Sequence, residues 1–106
     1  MAREQLKTLT EQMYYILLTL TEHQHGYGIM QEVERRTEGR VRIGAGTLYS
    51  LLSRFEDEDI IVQVSEENRR KIYVITDKGL NILKDEYQRL KQLVSDGSDI
   101  LEGSVR

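Results

Sequence analysis

Apolar residues recur at helical spacing within GAGTLYSLLSRF, the segment that spans residues 44–55. Its apolar positions lie at i, i+3, i+4 and i+7, which is the spacing of one buried helix face. They are Leu48, Leu51, Leu52 and Phe55. The opposite face holds Gly46, Ser50 and Ser53, flanked by Thr47, Tyr49 and Arg54. A helix whose exposed face carries such small side chains can approach another large surface closely, as a recognition helix does in the DNA major groove.

Two further helices are predicted before this one, which itself covers about residues 45–58. The first begins near Thr8, whose spacing to Glu11 matches a capping box, and it ends around residues 22–24. The second covers about residues 27–38 and ends at Gly39. Their inward apolar positions are Met13, Ile16, Leu17 and Leu20 in the first and Ile29, Met30 and Val33 in the second.

Two strands and a last helix are predicted after it. Residues 60–64 and 71–75 are rich in β-branched and aromatic side chains, and the polar SEENRR between them suits a β-hairpin. Thr76 then caps a helix over about residues 77–95, and a Gly- and Ser-rich tail follows. This last helix carries a 3-4-3-4 apolar seam, typical of coiled coils, at Leu80, Leu83, Tyr87, Leu90 and Val94.

Three helices, a hairpin and a helix predict a mainly α (α+β) protein, a winged helix-turn-helix with a two-stranded wing. Residues 1–76 are expected to form the DNA-binding unit, and residues 77–106 a C-terminal dimerisation helix and a mobile tail. The seam is expected to dock on the first helix of a second subunit, at Met13 and Leu17. The alternative is that the seam is ordinary core of its own chain.

Composition fits one soluble globular domain, with 39% hydrophobic and 31% charged residues among 106. The chain has no Cys, which excludes disulfides and thiolate metal sites and fits a cytoplasmic location. No apolar run approaches the roughly 20 residues of a membrane span, and the N-terminal MAREQLK does not resemble a signal peptide.

The net charge of −3 argues by itself against nucleic acid, but the charges are segregated. Residues 35–54 hold five arginines against one glutamate, and Arg69, Arg70 and Lys71 form a second basic run near the hairpin turn. The acidic residues 56–59 would repel phosphate at the end of the third helix. DNA contact is therefore expected at its N-terminal half, where the helix dipole also favours phosphate.

No enzymatic or metal chemistry is predicted. His23 and His25 are separated by one residue, with no Cys and no nearby acidic cluster, which is poor spacing for metal ligands. They are expected to be surface histidines near a helix end. No nucleophile-base set or phosphate-binding glycine loop is present, and the two Gly-x-Gly pairs follow no strand, so no cofactor is predicted.

Three motifs in order resemble the PadR-like family of bacterial transcriptional regulators over about residues 9–90. They are His25-Gly26-Tyr27-Gly28-Ile29, Gly46-Thr47-Leu48-Tyr49, and Arg69-Arg70-Lys71-Ile72-Tyr73 leading to Thr76-Asp77-Lys78-Gly79. The short C-terminal region is similar to the small subgroup with a single C-terminal helix. The resemblance implies a homodimer that binds an inverted-repeat operator in double-stranded DNA and usually represses. Small aromatic or drug-like molecules relieve repression in some members.

The sequence departs from the family pattern at a few positions. The family often has Pro where Ala45 and Ser50 stand, and Gly where Asp59 ends the third helix. Asp tolerates the left-handed conformation less well than Gly, so the wing is expected to leave at a different angle. Some drug-binding members use a Trp in the dimer pore, and this chain has no Trp.

Thr47 and Ser50 are expected nearest the bases, and the wing residues along the flanking backbone. The predicted DNA-contacting residues are Tyr27, Thr47, Tyr49, Ser50, Arg54, Arg69, Arg70 and Lys71, with Arg36, Arg40 and Arg42 as further phosphate contacts. Tyr27 and Tyr49 could instead pack inward, and the basic run could simply be solvated. Two other functions stay open: a winged helix that binds only protein, and a ligand sensor with a cavity at the dimer interface.

Overall fold

The computed structural model describes residues 8–103 as four helices and three strands. In chain order they are α1 (Glu11–Thr19), β1 (Gln24–His25), α2 (Gly26–Arg36), α3 (Ala45–Asp57), β2 (Ile61–Glu67), β3 (Arg70–Ile75) and α4 (Asp77–Leu101). The predicted order of three helices, a hairpin and a last helix is confirmed, as is the mainly α class. Residues 1–7 and 104–106, which include MAREQLK and the last part of the predicted tail, lie outside the described residues.

The predicted hairpin forms, but the sheet has a third strand that the sequence pattern did not indicate. β3 lies in the middle, with β1 on one side and β2 on the other, and both pairs are antiparallel. The two-residue β1 places His25 opposite Ile72. The hairpin turns at Asn68 and Arg69, whose φ angles of 52° and 66° suit a two-residue type I′ turn.

The start and end of α1 differ from the prediction. Thr10 caps the helix instead of Thr8, because the Thr10 hydroxyl accepts the backbone N–H three residues along at 3.2 Å. The helix ends at Thr19, earlier than expected. The next carbonyl, that of Leu20, accepts the N–H of Ile75 at 2.7 Å, so the chain has already turned toward the sheet.

Two predicted helix signals are confirmed, and one expectation is wrong. Gly39 has a φ of 81° and its N–H donates to the Glu34 carbonyl at 2.9 Å, which closes the end of α2. The Thr76 hydroxyl accepts the Gly79 N–H at 3.0 Å and caps α4.

However, α4 continues to Leu101, so residues 96–101 are helical where a mobile tail was expected. A single Gly in an exposed helix costs only about 1 kcal/mol, which the preceding turns can offset.

The hydrophobic core lies between the first three helices and the sheet. α3 contributes Leu48, Leu52 and Phe55, all buried as predicted. α1 contributes Met13 and Leu17, whose side chains are 6% and 0% exposed. These two were expected at a dimer interface. That assignment is corrected, because their side chains are already covered by the core of their own chain.

The apolar seam of α4 divides into two parts. Leu83 is only 4% exposed and packs against the core of its own chain, whereas Tyr87 and Val94 are 50% and 71% exposed. Leu80 and Leu90 are half-buried. The seam is thus intrachain core near its start and uncovered beyond about residue 87. Within residues 8–103, no helix is long and apolar enough to cross a membrane.

Candidate nucleic-acid interface

The exposed face of α3 is small and polar over its first two turns. Thr47 and Ser50 are exposed, and a β-carbon built on Gly46 would meet no atom within 4 Å. Gly44 occupies the N-cap and offers no side-chain hydrogen bond to the helix start. The first N–H groups of α3 therefore lack a side-chain cap, at the positive end of the helix dipole. Such a helix start can receive a closely approaching anionic surface.

Tyr49 joins α3 to the start of α2. Half of its surface is exposed, and its hydroxyl end lies so close to Gly26 that a β-carbon on that glycine would be 2.5 Å from the Tyr49 oxygen. Tyr49 thus lies at the edge of the buried face, as expected, with its hydroxyl outside the core. The absence of a side chain at Gly26 is what allows the two helices to meet there.

A groove runs between the start of α2, α3 and the wing. It encloses about 330 Å³ and brings together five of the predicted contact residues, Tyr27, Tyr49, Arg69, Arg70 and Lys71. Tyr27 is exposed, and the guanidinium carbon of Arg70 lies 5.7 Å from the centre of its ring. This distance lies within the range of a cation–π contact, which favours Arg70 beside Tyr27 at the groove. Thr47 and Ser50 are not among the groove-lining residues.

One carboxylate also lines the groove. It belongs to Glu56 near the end of α3, and it lines the groove together with the wing cations. Tyr73 lines the same groove and is buried, and its pKa is raised first by that burial and then by the negative charge of Glu56. The acidic end of α3 therefore places a negative charge in the same groove as the wing cations.

The wing carries both signs of charge. Arg69 lies in the turn, while Arg70 and Lys71 begin β3. Across the ladder Arg70 faces Glu67, and Lys71 faces Glu66. Neither cross-strand pair comes within 4.0 Å as an ion pair in residues 8–103. The three cations are exposed, yet the two glutamates offset much of their charge.

Arg54 is drawn to the acidic end of its own helix. Its Nε donates to the Glu58 carboxylate at 2.9 Å, and the Glu58 side chain is buried. The prediction that Arg54 grips the major groove did not include this partner. An i, i+4 pair holds the guanidinium towards the C-terminal half of α3, away from Thr47.

The three lower-ranked arginines differ in their partners. Arg36 pairs with Glu32 at 3.1 Å, and Arg42 pairs with Glu34 at 3.8 Å. The pKa of Glu32 lies below its usual value, chiefly because Arg35 donates to it and also because Arg36 does. Arg40 is exposed and has no ion-pair partner within residues 8–103.

His25 is a site residue that the sequence prediction missed. It was expected to be a surface histidine, but it is half-buried and its Nδ1 accepts the Gly28 N–H at 3.0 Å, which caps α2. Its Nε2 lies 3.3 Å from Arg70 Nη1. The signal available in the sequence was its position before a helix start, but His is not among the preferred N-cap residues. In the described part of the chain, no three His, Cys, Asp or Glu side chains gather as a metal site.

Comparison with known proteins finds this arrangement among transcriptional regulators. The sequence model described as "Transcriptional regulator PadR-like family" matches residues 16–85. An uncharacterized protein of Lysinibacillus sphaericus is 33% identical over 84 residues, which cover 73% of this chain and 77% of that protein. A PadR-like transcriptional regulator of Bacillus cereus superposes with a TM-score of 0.71 at 27% identity, over 86% of this chain and 91% of that chain. A PadR-like transcription factor of Bacteroides fragilis superposes with a TM-score of 0.68 at 30% identity, over 82% and 86% of the two chains.

Proposed function

We propose that this chain, which belongs to the PadR-like family of transcriptional regulators, binds an inverted-repeat DNA operator as a homodimer and represses transcription from it. One observation carries the proposal. α3 presents a small polar face, and the same molecule has a groove lined by Arg69, Arg70 and Lys71. Family membership already makes the chain a regulator of transcription that works through DNA. The operator symmetry, the dimer and the sign of regulation are the proposed parts.

The start of α3 is proposed to enter the major groove. Thr47 and Ser50 are exposed there, and their hydroxyl groups can donate to or accept from base edges. The uncapped N–H groups that follow Gly44 favour binding of a DNA phosphate at the edge of the major groove. Tyr49 is half exposed next to them, and its hydroxyl can donate to the backbone.

The wing is proposed to hold the flanking DNA backbone. Arg69 at the turn and Arg70 at the groove mouth are exposed, and contacts of this kind fix the position of the protein on the duplex. Lys71 and Arg40, which has no ion-pair partner among the described residues, add positive charge. Arg54 is left out of this set because Glu58 already holds its guanidinium.

The uncovered half of α4 supports a dimer of this chain. Five large apolar side chains there are exposed in a single chain: Tyr87, Leu93, Val94, Ile100 and Leu101. Apolar groups clustered on one helix are typical of an interface, because their burial removes apolar surface from water. A two-fold dimer built on α4 would present two α3 helices to two half-sites, about one DNA turn of 34–36 Å apart.

The same surface also supports a small apolar effector. A groove of about 460 Å³ lies along α4 and is lined by Tyr14, Tyr87, Leu90 and Val94 among others. Its size falls in the range of small-molecule pockets, roughly 300–1,000 Å³. An aromatic molecule bound there would change how two copies of α4 pack. Operator release together with a raised melting temperature on adding the effector is the expected result.

A mobility-shift titration against the DNA upstream of the chain's own gene tests the proposal at two or more salt concentrations. Affinity should fall steeply with salt, by a log-log slope of about −0.9 for each neutralised phosphate. Thr47→Ala with Ser50→Ala should lower the preference for operator over unrelated DNA, while Asn81→Ala, an exposed position on α4, should leave it unchanged. Absent or salt-insensitive binding would support the alternative of a protein-interaction module.

A further inference from the structure

The two contacts of the His25 ring cannot both be hydrogen bonds. Nδ1 lies 3.0 Å from the Gly28 nitrogen, and Nε2 lies 3.3 Å from Arg70 Nη1. Both neighbours are donors, and a guanidinium has no acceptor. A neutral imidazole has one accepting nitrogen, and an imidazolium has none. One of the two contacts therefore brings two donors face to face.

The helix cap decides which contact that is. The Gly28 N–H is one of the first amides of α2 and is satisfied by Nδ1. The backbone of His25 is held in β1 opposite Ile72, so the ring has little freedom to leave the cap. The neutral ring then carries its proton on Nε2, and this N–H points towards Arg70.

Arg70 forms no ion pair with a carboxylate among residues 8–103. Glu67 stands directly across the ladder, but no ion pair joins the two within residues 8–103. The guanidinium instead lies over the Tyr27 ring, where an uncharged π-face accompanies it at the groove mouth. Two donors, one of them charged, thus converge on an open groove. The missing partner is an anionic acceptor.

We infer that one phosphate oxygen of the bound DNA backbone accepts hydrogen bonds from both His25 Nε2–H and the Arg70 guanidinium. This inference rests on the proposed function and adds His25 to its contact residues. A phosphate satisfies both donors at once, and its bond to the guanidinium is charge-assisted. Arg69 and Lys71 line the same groove, and among residues 8–103 Glu56 of α3 is its only acidic lining residue.

His25→Asn is the sharpest test, because it separates the cap from the groove contact. Asn is a preferred N-cap residue whose side-chain oxygen can still accept the Gly28 N–H, but it has no donor in the position of Nε2. The melting temperature should stay unchanged. Operator affinity should fall by roughly tenfold, while the salt slope stays that of the wild type, because a neutral donor releases no counterion.

Arg70→Gln should behave differently, since it removes a charge. It should lower affinity and reduce the salt slope by about 1. Because both residues are assigned to one phosphate, the double variant should bind hardly more weakly than Arg70→Gln alone. Fully additive losses would overturn the shared site. If His25→Asn does not fold, Arg70→Gln still tests the site with the modified operators described next.

Operators with one uncharged methylphosphonate at each backbone position in turn locate the phosphate. At a single position the modification should weaken wild-type binding and leave the affinities of wild type and Arg70→Gln nearly equal. No such position would overturn the inference. Inorganic phosphate at matched ionic strength tests a free-anion site: if it stabilises the wild type, but not Arg70→Gln, with no position-specific effect on DNA, the DNA assignment is wrong. Failure of the wild type to bind any DNA would instead reject the proposed function itself.

Discussion

The backbone of Gly79 packs directly against the carbonyl oxygen of Ile60, with no space between them for a β-carbon. The same carbonyl accepts the Thr76 N–H at 2.9 Å, and the Thr76 hydroxyl, which lies 2.6 Å from the Asp59 carbonyl oxygen, is also 3.0 Å from it. The first turn of α4 is thereby fixed to the residue that precedes β2 and the wing. The helix proposed to carry the dimer and the wing proposed to hold DNA are joined at this point.

Gly79→Ala should destabilise the protein because the new methyl group meets backbone that cannot move aside. Overpacking of this kind costs about 1–3 kcal/mol. Gly97→Ala is the matched control: it lies in the same helix with open space around it, and should stabilise by roughly 0.5–1 kcal/mol. Thermal unfolding of the two variants measures both effects. Equal shifts would mean that Gly79 is not tightly packed.

Glu86 should make stability depend on acid pH. The pKa of this buried carboxyl lies below its usual value, chiefly because Arg89 donates to it at 2.9 and 2.6 Å and also because the Leu9 N–H does, while burial opposes the shift. Its contribution is therefore present above the unfolded-state pKa of about 4.3 and is lost as pH falls through the lower folded-state pKa. Denaturant unfolding from pH 6 to pH 3 should show a smaller loss for Glu86→Gln. Parallel pH profiles would contradict this assignment.

Val94→Asp should break the dimer without unfolding the chain, since Val94 is 71% exposed in one copy and the proposed interface would bury the new charge. Light scattering should report a monomer, and operator affinity should drop. Gln88→Asp, at an exposed polar position of the same helix, should remain dimeric. By contrast, Leu83→Asp should unfold the protein, because that side chain lies in the core. If the Val94→Asp variant remains a stable dimer, the dimer interface does not include Val94.

Replacing Arg69 by Asn and Arg70 by Ala should weaken DNA binding to all sequences about equally. Asn is chosen at the turn because it accepts the left-handed φ of 66° that Arg69 adopts. Each removed phosphate contact should reduce the salt slope by about 1. Lys84→Ala on α4, at an exposed position outside the groove, serves as the charge control. Affinity equal to wild type in a mobility shift would exclude the wing from the interface.

Several features of the fold were accessible from local sequence alone. The two faces of α3, the Thr76 cap, the Gly39 stop and the hairpin all follow from side-chain periodicity or from residues close along the chain. The pair between Arg54 and Glu58 was also within reach, because an i, i+4 spacing on a helix brings the two side chains together.

The order of the four helices and the hairpin follows from the sequence, since each turn, cap and apolar stripe is set within a few residues, but the two-residue β1 left no such local signal. Tertiary structure decided which surface covers each stripe. The apolar periodicity predicts that Leu17 lies on the apolar face of α1 and Leu83 on that of α4. Only the packing of the whole chain shows that both side chains are buried in the core of their own chain. The contact between His25 and Arg70 likewise joins residues 45 apart, which come together because β1 pairs with β3. Contacts between distant segments depend on the combined burial of the whole chain, which no local pattern contains.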